Sequence, residues 1–507
     1  MGVMRVVMLS NDRKIFEEGS AVRVRMLEYG ALADELHIIV FTPGGRAARL
    51  GKNVWLHPTN SKSKWYYLWD AYGICKKLLK RWREEKLRYV VTSSDGPTHL
   101  LAYLLSIQFK FGWEVQVHTD IGSRYYRKES LKNYLQFWIY RLAVTRASGV
   151  RVVAGRMKDF MISKWGIRAG KITVLPIFVD TNRYLNAPAS DRLLKMFPEF
   201  EHIVLMASRL TREKNISLAT VAMGEVRKRY PKTGLVIIGE GPAEENSKFE
   251  IRNSKLEQSV KWLPWQDDLA PFYKSADVFL LTSNYEGYGM TLIEAAASGT
   301  PIVTTDVGLV GDEVVNAHTV FIAVVGDSSK LAEQIGMLLR DGELRRMMGE
   351  RLQKAVTSLP DREAHHSAMR EYWATCSKVP VGGIPMLVKY VISGGSAAFV
   401  DIFSLYVLTE WLGLWYLISA GLAFLVAFWV SFFMQKHWTF QDGSAQSRKQ
   451  AVVYFGVALV NLGVNTLLMF FLVDLVHLWY VFAQMITGGL IAFSSFFIYR
   501  KFIFKKT

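Results

Sequence analysis

Cysteine is nearly absent from this chain of 507 residues. Its two cysteines, Cys75 and Cys376, lie far apart in the sequence. Two thiols so widely separated exclude a dense disulfide framework and a zinc site built from paired cysteines. We therefore expect a protein of a reducing compartment, which points to the cytoplasm.

A targeting segment at the N-terminus is not evident either. The first apolar run, Val3–Leu9, is shorter than the apolar core of a secretory signal peptide, and the polar residues Asn11–Lys14 follow it. We interpret this run as a first β-strand.

Acidic residues are too few to balance the basic ones. The chain has 62 Lys and Arg against 45 Asp and Glu, which gives a formal net charge of +17. Such an excess favours an anionic partner, which could be a nucleic acid, an acidic phospholipid or a phosphorylated small molecule. No nucleic-acid-binding motif is recognisable, so we predict no nucleic acid partner and favour an anionic membrane or a lipid phosphate.

Long apolar runs are missing from the first three quarters of the chain, where short β-branched runs alternate with helical patterns. This alternation predicts parallel sheets covered on both faces, which is an α/β fold. The polar stretch Thr181–Pro198 suggests a boundary between two Rossmann-like lobes, which we place at 1–185 and 186–377. Ligands are then expected in the cleft at the carboxyl ends of both sheets.

One segment, Leu281–Gly299, carries the strongest chemical signal. Two of its glutamates, Glu286 and Glu294, are separated by seven residues, and a glycine-containing turn leads into a predicted helix between them. Unpaired backbone N–H groups at such a helix start suit a diphosphate. Glu286 would then reach a bound sugar, and Glu294 would reach a ribose. The turn and the helix start comprise Gly287, Gly289, Met290 and Thr291.

This segment resembles the E-x7-E motif of retaining glycosyltransferases with the GT-B fold, in particular glycosyltransferase family 4. The resemblance covers most of residues 1–360, because further motifs follow in the family's order: Ala207–Lys214, Gly239–Pro242, Ser275–Val278 and Gly299–Pro301. It implies that the first lobe faces the acceptor and the second binds the donor. It also implies that Arg209 and Lys214 hold the donor diphosphate.

The same resemblance assigns two residues of the first lobe. His118 ends a predicted strand where the family has a sugar-contacting histidine, and Gly19 lies in the first strand-to-helix turn. The family usually has two glycines in that turn, and this sequence has one. The resemblance implies a hexosyltransferase that uses a nucleoside-diphosphate sugar, linked to GDP or UDP.

Each motif also has a purely structural interpretation. Two glutamates at this spacing occur by chance in helices, and a histidine at a strand end is often a structural residue. Gly239 and Gly241 can serve a tight turn and nothing more. Only the combination of motifs in one order favours ligand binding.

An Asp-x-Asp motif, with which the other main glycosyltransferase fold holds a metal, is absent from the sequence. Arg209, Lys214 and a helix N-terminus can offset the charge that develops on a leaving diphosphate. We therefore predict neither a metal nor a cofactor.

Charged residues become rare after a predicted linker at 378–387. Four apolar runs follow, near 388–408, 414–434, 451–473 and 477–499, and each is long enough to cross a bilayer. We interpret 388–507 as an all-α membrane domain of four helices. It consists of two repeats offset by 64 positions, since Ser431–Phe440 aligns with Ser495–Phe504.

The basic residues of this tail all fall on one side of the predicted helix pairs. The loops on the other side, around 411–415 and 474–479, contain no Lys or Arg. Because cytoplasmic loops carry the excess of basic residues, we predict a multi-pass protein of the inner, cytoplasmic membrane with both lobes in the cytoplasm.

The tail resembles the GtrA-like family of four-span proteins, which are linked to the transfer or flipping of polyprenyl-phosphate sugars. Polar groups are costly at membrane depth. Asp401 is therefore a candidate for a lipid-headgroup or proton-linked role, whereas Asn465 either has a functional role or forms helix-to-helix hydrogen bonds. Lys436 and Arg500, at equivalent positions of the two repeats, are also candidates. The domain could further support a homo-oligomer.

Three functions stay open at this point. The first is an enzyme that transfers a hexose to a lipid-linked acceptor, which could be a polyprenyl phosphate, a polyprenyl-diphosphate sugar or a phospholipid. The second is a flippase or transporter whose soluble lobes supply the glycolipid. The third is a binding module with degenerate lobes, against which the intact motif residues argue.

Overall fold

The chain folds as two compact units, Met1–Gly382 and Gly383–Thr507. The computed structural model describes residues 4–312, 314–381, 386–442, 444 and 447–504. The first unit is α/β and the second is helical.

The first unit begins with a mostly parallel sheet built from short buried strands. These are β1 (Arg5–Ser10), β2 (Glu35–Val40), β3 (Ala48–Gly51), β4 (Val54–Pro58), β5 (Tyr89–Ser93), β6 (Phe111–Val117), β7 (Gly149–Val152) and β8 (Ile172–Val174). They lie in the order β3-β4-β2-β1-β5-β6-β7-β8, and β3 runs antiparallel to β4. Strand β1 is central, with β2 and β5 as parallel neighbours.

Helices cover both faces of this sheet. They are α1 (Ala21–Gly30), α2 (Tyr67–Glu84), α3 (Gly96–Gln108), α4 (Arg124–Glu129), α5 (Leu131–Arg146) and α6 (Gly155–Trp165). Successive side chains of a strand point to opposite faces, so Val7 and Leu9 pack with α2, α3 and α5, whereas Val6 and Met8 pack with α1. Burial of both faces explains why β1 is apolar without alternation.

The second lobe follows two short helices, α7 (Thr181–Leu185) and α8 (Arg192–Met196). Its six-stranded sheet is parallel and has the order β11-β10-β9-β12-β13-β14. The strands are β9 (His202–Ala207), β10 (Thr233–Ile238), β11 (Val260–Leu263), β12 (Val278–Leu281), β13 (Ile302–Thr305) and β14 (Phe321–Ala323). The helices are α9 (Ile216–Arg229), α10 (Glu244–Asn253), α11 (Ala270–Tyr273), α12 (Met290–Ser298), α13 (Ser328–Arg340), α14 (Gly342–Val356) and α15 (Arg362–Ser377). The predicted α/β fold with two parallel sheets is confirmed.

The last helix of this unit, α15, returns to the first lobe. Met369 and Trp373 are buried in the core beneath α1, and the Trp373 indole Nε1 donates to the Glu114 carboxylate on β6 at 2.8 Å. A short strand, β15 (Pro380–Val381), then pairs antiparallel with the start of β6. The predicted linker 378–387 thus contains a piece of the first-lobe sheet.

The second unit contains four α-helices in its described residues: α16 (Met386–Tyr406), α17 (Tyr416–Phe433), α18 (Ser447–Phe470) and α19 (Tyr480–Ile498). A π-helical turn extends each of them, at Val407–Trp411, Met434–Thr439, Phe471–Leu475 and Tyr499–Ile503. Within the part of the chain that the structure describes, three helical segments are long and apolar enough to cross a membrane, namely Met386–Trp411, Ser447–Leu475 and Ile486–Ile503. The second predicted span, 414–434, corresponds to α17, which is not among these three; several of its side chains lie outside the described residues.

The backbone of this unit repeats at the offset of 64 positions. Helices α16 and α18 end at equivalent residues, Tyr406 and Phe470, and each continues into a π-helical turn. The connection that follows contains a left-handed residue at the same place in both repeats, Gly413 and His477. Two helical hairpins therefore share one backbone design.

The four polar residues predicted for this unit have different surroundings. Lys436 is buried, and its Nζ donates to the Ser444 carbonyl, the Ser447 hydroxyl and the Gln450 side-chain carbonyl at 2.7–2.8 Å. Its repeat counterpart Arg500 is exposed, whereas Asp401 and Asn465, also equivalent positions, are partly buried. Lys436 thus joins the π-helical turn after α17 to Ser444 and to the start of α18, which is a structural role for its charge.

We predict that Gly112→Ala destabilises the first unit. An added Cβ on β6 would lie 2.5 Å from the Cys376 carbonyl oxygen and 2.7 Å from the Ser377 Cα, so α15 and β15 would have to move. Overpacking of this kind costs about 1–3 kcal/mol. The matched control is Gly73→Ala on α2, where nothing lies within 4 Å of the added atom.

Thermal unfolding of both full-length variants, followed by tryptophan fluorescence, checks this prediction. Gly112→Ala should lower the melting temperature, and Gly73→Ala should raise it slightly because alanine favours the helix over glycine. An unchanged melting temperature for Gly112→Ala would show that the return helix is not held against β6.

Candidate functional site

A polar cleft lies between the two lobes, where β6 and β12 end. It has a volume of about 640 Å³. The first lobe contributes the strand end and the α4–α5 junction: His118, Thr119, Tyr126, Glu129, Ser130, Lys132 and Asn133. The second lobe contributes Arg209, Arg212, Glu213, Lys214, Tyr285, Glu286 and Gly287. The structure thus brings together five of the predicted site residues, His118, Arg209, Lys214, Glu286 and Gly287, from distant parts of the sequence.

The lobes touch directly at Gly287. A Cβ at this position would overlap with the His118 carbonyl oxygen, so only glycine permits the approach. Next to this contact, the Tyr285 hydroxyl donates to the Glu129 carboxylate, and the rings of Tyr285 and Tyr126 meet edge to face at 5.5 Å. These contacts close one end of the cleft.

A lysine and a glutamate form the charged centre of the second-lobe wall. The Nζ of Lys214 donates to Oε1 of Glu286, and the Ser283 hydroxyl donates to the same oxygen at 2.7 Å. Both charged side chains retain little exposure, 13% for Lys214 and 11% for Glu286. The pair is therefore held in place but still open to the cleft.

The position of Lys214 follows from its local backbone. It ends a 3-10 turn, and Asn215 behind it adopts a left-handed conformation that starts α9. The Thr282 hydroxyl bonds the carbonyl oxygens of Lys214 and Asn215 at 3.0 Å, which joins this turn to the end of β12. Two motifs of the sequence are thus tied into one wall.

Arg209 also faces the cleft but is far more exposed than Lys214. Its side chain is 71% exposed, and its nearest carboxylate is Glu213 at 3.7 Å. The residues on either side of Arg209 pack against the turn that contains Gly239 and Gly241. A Cβ on Gly239 would overlap with the Ser208 carbonyl oxygen, and a Cβ on Gly241 would overlap with that of Leu210. These two glycines serve close backbone packing.

The start of α12 has the geometry expected for an anion site. Gly289 is its N-cap in a left-handed conformation, and among the described residues no side chain caps the helix. Met290 and Thr291 form the first turn and are half-buried. Their backbone N–H groups, with the helix dipole, can bind a diphosphate oxygen.

Glu294 lies one turn further along α12 and does not line the cleft described above. Its Oε2 accepts a hydrogen bond from the Tyr273 hydroxyl at 2.9 Å. Burial raises the pKa of its carboxyl group, and hydrogen bonds from Tyr273 and Tyr184 partly oppose this. A ribose at this position would have to share the carboxylate with Tyr273, so the ribose contact stays a prediction.

His118 lies between two cavities. It borders the cleft and also a cavity of about 250 Å³ in the first lobe, which Arg25, Gln116 and Ser94 help to line. Its Nε2 is 3.1 Å from the Gln116 side-chain oxygen, whereas its Nδ1 is buried without a hydrogen-bond partner in the described residues. Burial, assisted by Arg151 and Arg25, lowers the pKa of His118 to about 3. The ring is therefore neutral, and its Nδ1 has no partner within the described residues.

Gly19 is exposed at the start of α1 with φ of 76°, and it lines neither cavity.

The sequence did not indicate Glu129, Tyr285, Ser283 or Arg25. Tyr285 and Ser283 could have been suspected because they flank Glu286. Glu129 and Arg25 carry no local signal, since tertiary contacts alone bring them to the site. Within the described residues, no cluster of three or more His, Cys, Asp and Glu could hold a metal ion.

Comparison with protein families matches three parts of the chain. Residues 195–355 match Glycosyl transferases group 1, residues 19–183 match Glycosyltransferase Family 4, and residues 389–504 match the GtrA/DPMS transmembrane domain. Among curated proteins, N-acetyl-alpha-D-glucosaminyl L-malate synthase of Bacillus anthracis is 26% identical over 64% of this chain and 86% of its own length. Alpha-monoglucosyldiacylglycerol synthase of Streptococcus pneumoniae is 36% identical over 20% of this chain and 24% of its own.

Solved structures show the same fold at low sequence identity. Sucrose-phosphate synthase from Thermosynechococcus elongatus superposes with a TM-score of 0.61 at 19% identity and covers 73% of this chain and 98% of its own. Anabaena Alr3699/HepE in complex with UDP and glucose has a TM-score of 0.58 at 18% identity and covers 73% and 100%. The chain belongs to the glycosyltransferases with the GT-B fold, with a Family 4 first domain and a group 1 second domain, joined to a GtrA/DPMS-type transmembrane domain.

Proposed function

We propose that this protein is a retaining, metal-independent hexosyltransferase that uses a nucleoside-diphosphate sugar and a lipid-linked acceptor. It acts at the cytoplasmic face of the inner membrane, in the synthesis of a cell-envelope glycan or glycolipid. The observation that carries this proposal is the Lys214–Glu286 pair, held by Ser283 in a cleft that both lobes line.

Three positive features support a diphosphate donor. Lys214 and the exposed Arg209 lie on the same wall of the cleft, and the uncapped start of α12 follows Glu286 after a short turn. Fixed cations and N–H dipoles stabilise charge on a leaving diphosphate because they need no rearrangement during the reaction. The structure of HepE in complex with UDP and glucose, which has the same fold, supports UDP as the leaving group.

The reacting sugar would lie between Glu286 and His118. Glu286 can accept hydrogen bonds from sugar hydroxyls and is oriented by Lys214 and Ser283. The neutral His118 can bond the sugar through Nδ1 without adding a second positive charge to the site. The adjoining first-lobe cavity, which Arg25 lines, is the place for the acceptor.

The transmembrane domain supports a lipid acceptor. A polyprenyl phosphate, a polyprenyl-diphosphate sugar and a phospholipid all present their reactive head at the membrane surface. The S. pneumoniae relative is named for a glucosyldiacylglycerol, a glycolipid, which supports a lipid acceptor for this chain. A tethered enzyme meets such an acceptor at high effective concentration.

We predict that Glu286→Gln and Lys214→Ala each reduce transfer by about 10²–10³-fold, because each removes one preorganised electrostatic contact. The matched controls are Glu201→Gln and Lys232→Ala, an exposed pair at the opposite end of the same sheet. Steady-state transfer of radiolabelled sugar measures the effect. Near-normal turnover of either folded site variant would contradict the assignment, and the control variants should match the parent chain.

We predict that activity survives EDTA. Arg209, Lys214 and the start of α12 supply the positive charge that a metal supplies in other glycosyltransferases. Transfer is measured in the purified chain before and after chelation. Complete loss, with recovery on adding Mg²⁺ or Mn²⁺, would refute metal independence.

We predict that a chain shortened to 1–382, which retains β15 and its pairing with β6, binds donor but transfers poorly to long-chain lipid acceptors in liposomes. Its deficit should shrink with a short soluble acceptor that needs no delivery by the membrane. Donor binding by thermal shift and transfer to both acceptors are compared with the full chain. Equal transfer to the long-chain acceptor would favour the transporter function for the tail instead.

A further inference from the structure

Three helices of the first lobe form one outer face with an unusual composition. Helices α2, α3 and α5 contact one another in that order and cover the same side of the sheet. The opposite side is covered by α1. The outer face of α2, α3 and α5, with the turn that precedes α2, is called the basic–aromatic face below.

Helix α5 carries apolar residues toward solvent. Leu131, Tyr134, Leu135 and Trp138 follow the spacing of one helix face, and all four are exposed, Leu131 by 74%. The inward side of the same helix is apolar too, with Phe137 and Tyr140 in the core. A surface helix of a soluble protein normally has a polar outer side. The first turns of α5 therefore have a surplus of apolar surface that the fold does not use.

The start of α2 repeats this feature with larger side chains. Trp65 is 88% exposed and Trp69 is 72% exposed, with Tyr66 between them also exposed. Leu104 continues the apolar surface on α3, which lies between the two basic helices. Exposed apolar surface of this extent marks an interaction site.

Basic side chains surround these apolar groups. Exposed Lys and Arg on or beside α2 and α5 are Lys62, Lys64, Lys76, Lys77, Lys80, Arg81, Arg83, Lys128, Lys132, Arg141 and Arg146. Lys80 pairs with Glu84 at 3.9 Å and Arg81 with Glu35 at 3.5 Å. The remaining ones have no ion pair within the described residues, so most of the charge is available to a partner.

We propose that the basic–aromatic face binds an anionic lipid surface, with its lysines and arginines at the headgroups and its tryptophans at the boundary with the acyl chains. Tryptophan and lysine around exposed leucine are the composition of an interfacial membrane-binding helix. A protein partner fits less well, because lysine is depleted in protein–protein interfaces. Because the transmembrane domain is part of the same chain, a lipid surface is always close to the first unit.

Membrane binding by this face does not depend on the proposed function. Only its consequence for transfer to a lipid-linked acceptor rests on that function. Ser130 and Lys132 at the start of α5 line the cleft itself. A face that lies on the bilayer therefore holds the rim of the cleft at the depth of the lipid headgroups. A lipid-linked acceptor could then reach the first lobe without leaving the membrane.

Site-specific quenching in the full chain tests the docking. A fluorophore is attached to Tyr66→Cys, to Tyr134→Cys or to the control Val24→Cys on α1, in nanodiscs that contain doxyl-labelled lipid. Tyr134 and Val24 are both 47% exposed, so the comparison is matched. Native Cys75 and Cys376 are buried, and burial raises the pKa of both thiols to about 12, so they do not compete for the label.

We expect quenching at positions 66 and 134 to exceed that at position 24 by about twofold or more in discs with phosphatidylglycerol. The excess should fall at high salt, because screening weakens headgroup attraction. Equal quenching at all three positions would overturn the proposal. This readout needs no turnover, so it stands even if the chain proves inactive as a transferase.

Charge reversal tests the consequence for transfer. The full-length double variant Lys76→Glu/Lys77→Glu should lose about tenfold in transfer to a long-chain acceptor in anionic nanodiscs. It should stay within about twofold of the parent with a short soluble acceptor, since the cleft is untouched. The control double variant Arg351→Glu/Lys354→Glu on α14 should match the parent in both assays. Equal activity of the two double variants in anionic discs would contradict the proposal.

Discussion

The close approach of the two lobes at Gly287 is the constraint on which the site depends. Because the His118 carbonyl oxygen occupies the space where a Cβ would be, the end of β6 and the turn before α12 can meet. The Tyr285–Glu129 hydrogen bond and the ring contact with Tyr126 then fix the lobes beside this point. The placement of the Lys214–Glu286 pair of one lobe opposite the His118 ring of the other depends on this contact.

Charge is distributed unevenly around this cleft, and the distribution suits its chemistry. The second lobe supplies Lys214, Arg209 and the start of α12, which together favour an anionic leaving group. On the first-lobe side, the buried His118 stays neutral because desolvation disfavours its protonated form. Within the proposed function, the cations of the second lobe face the donor diphosphate, and the neutral His118 adds no further positive charge beside the sugar.

The helical unit shows how a repeated sequence becomes a repeated backbone. Equivalent helices end at Tyr406 and Phe470, and the left-handed residue that redirects the chain is Gly413 in one repeat and His477 in the other. The repeats are not equivalent in their polar groups, since Lys436 is buried in a π-helical turn and hydrogen-bonded, whereas Arg500 is exposed. Shared geometry therefore supports different side-chain roles.

The features that depend on neighbouring residues in the chain could be predicted from the sequence alone. Short apolar runs indicated parallel sheets, the glycine turn before Met290 indicated an open helix start, and the offset of 64 positions indicated two helical hairpins. Contacts between side chains that are far apart in the sequence became evident only in the tertiary structure. The Tyr285–Glu129 bond, the engagement of Glu294 by Tyr273 and the return of Trp373 to Glu114 join residues that no local pattern relates. The physical reason is that such contacts depend on how elements pack across the whole unit, and packing is set by the sum of many burials rather than by any short segment.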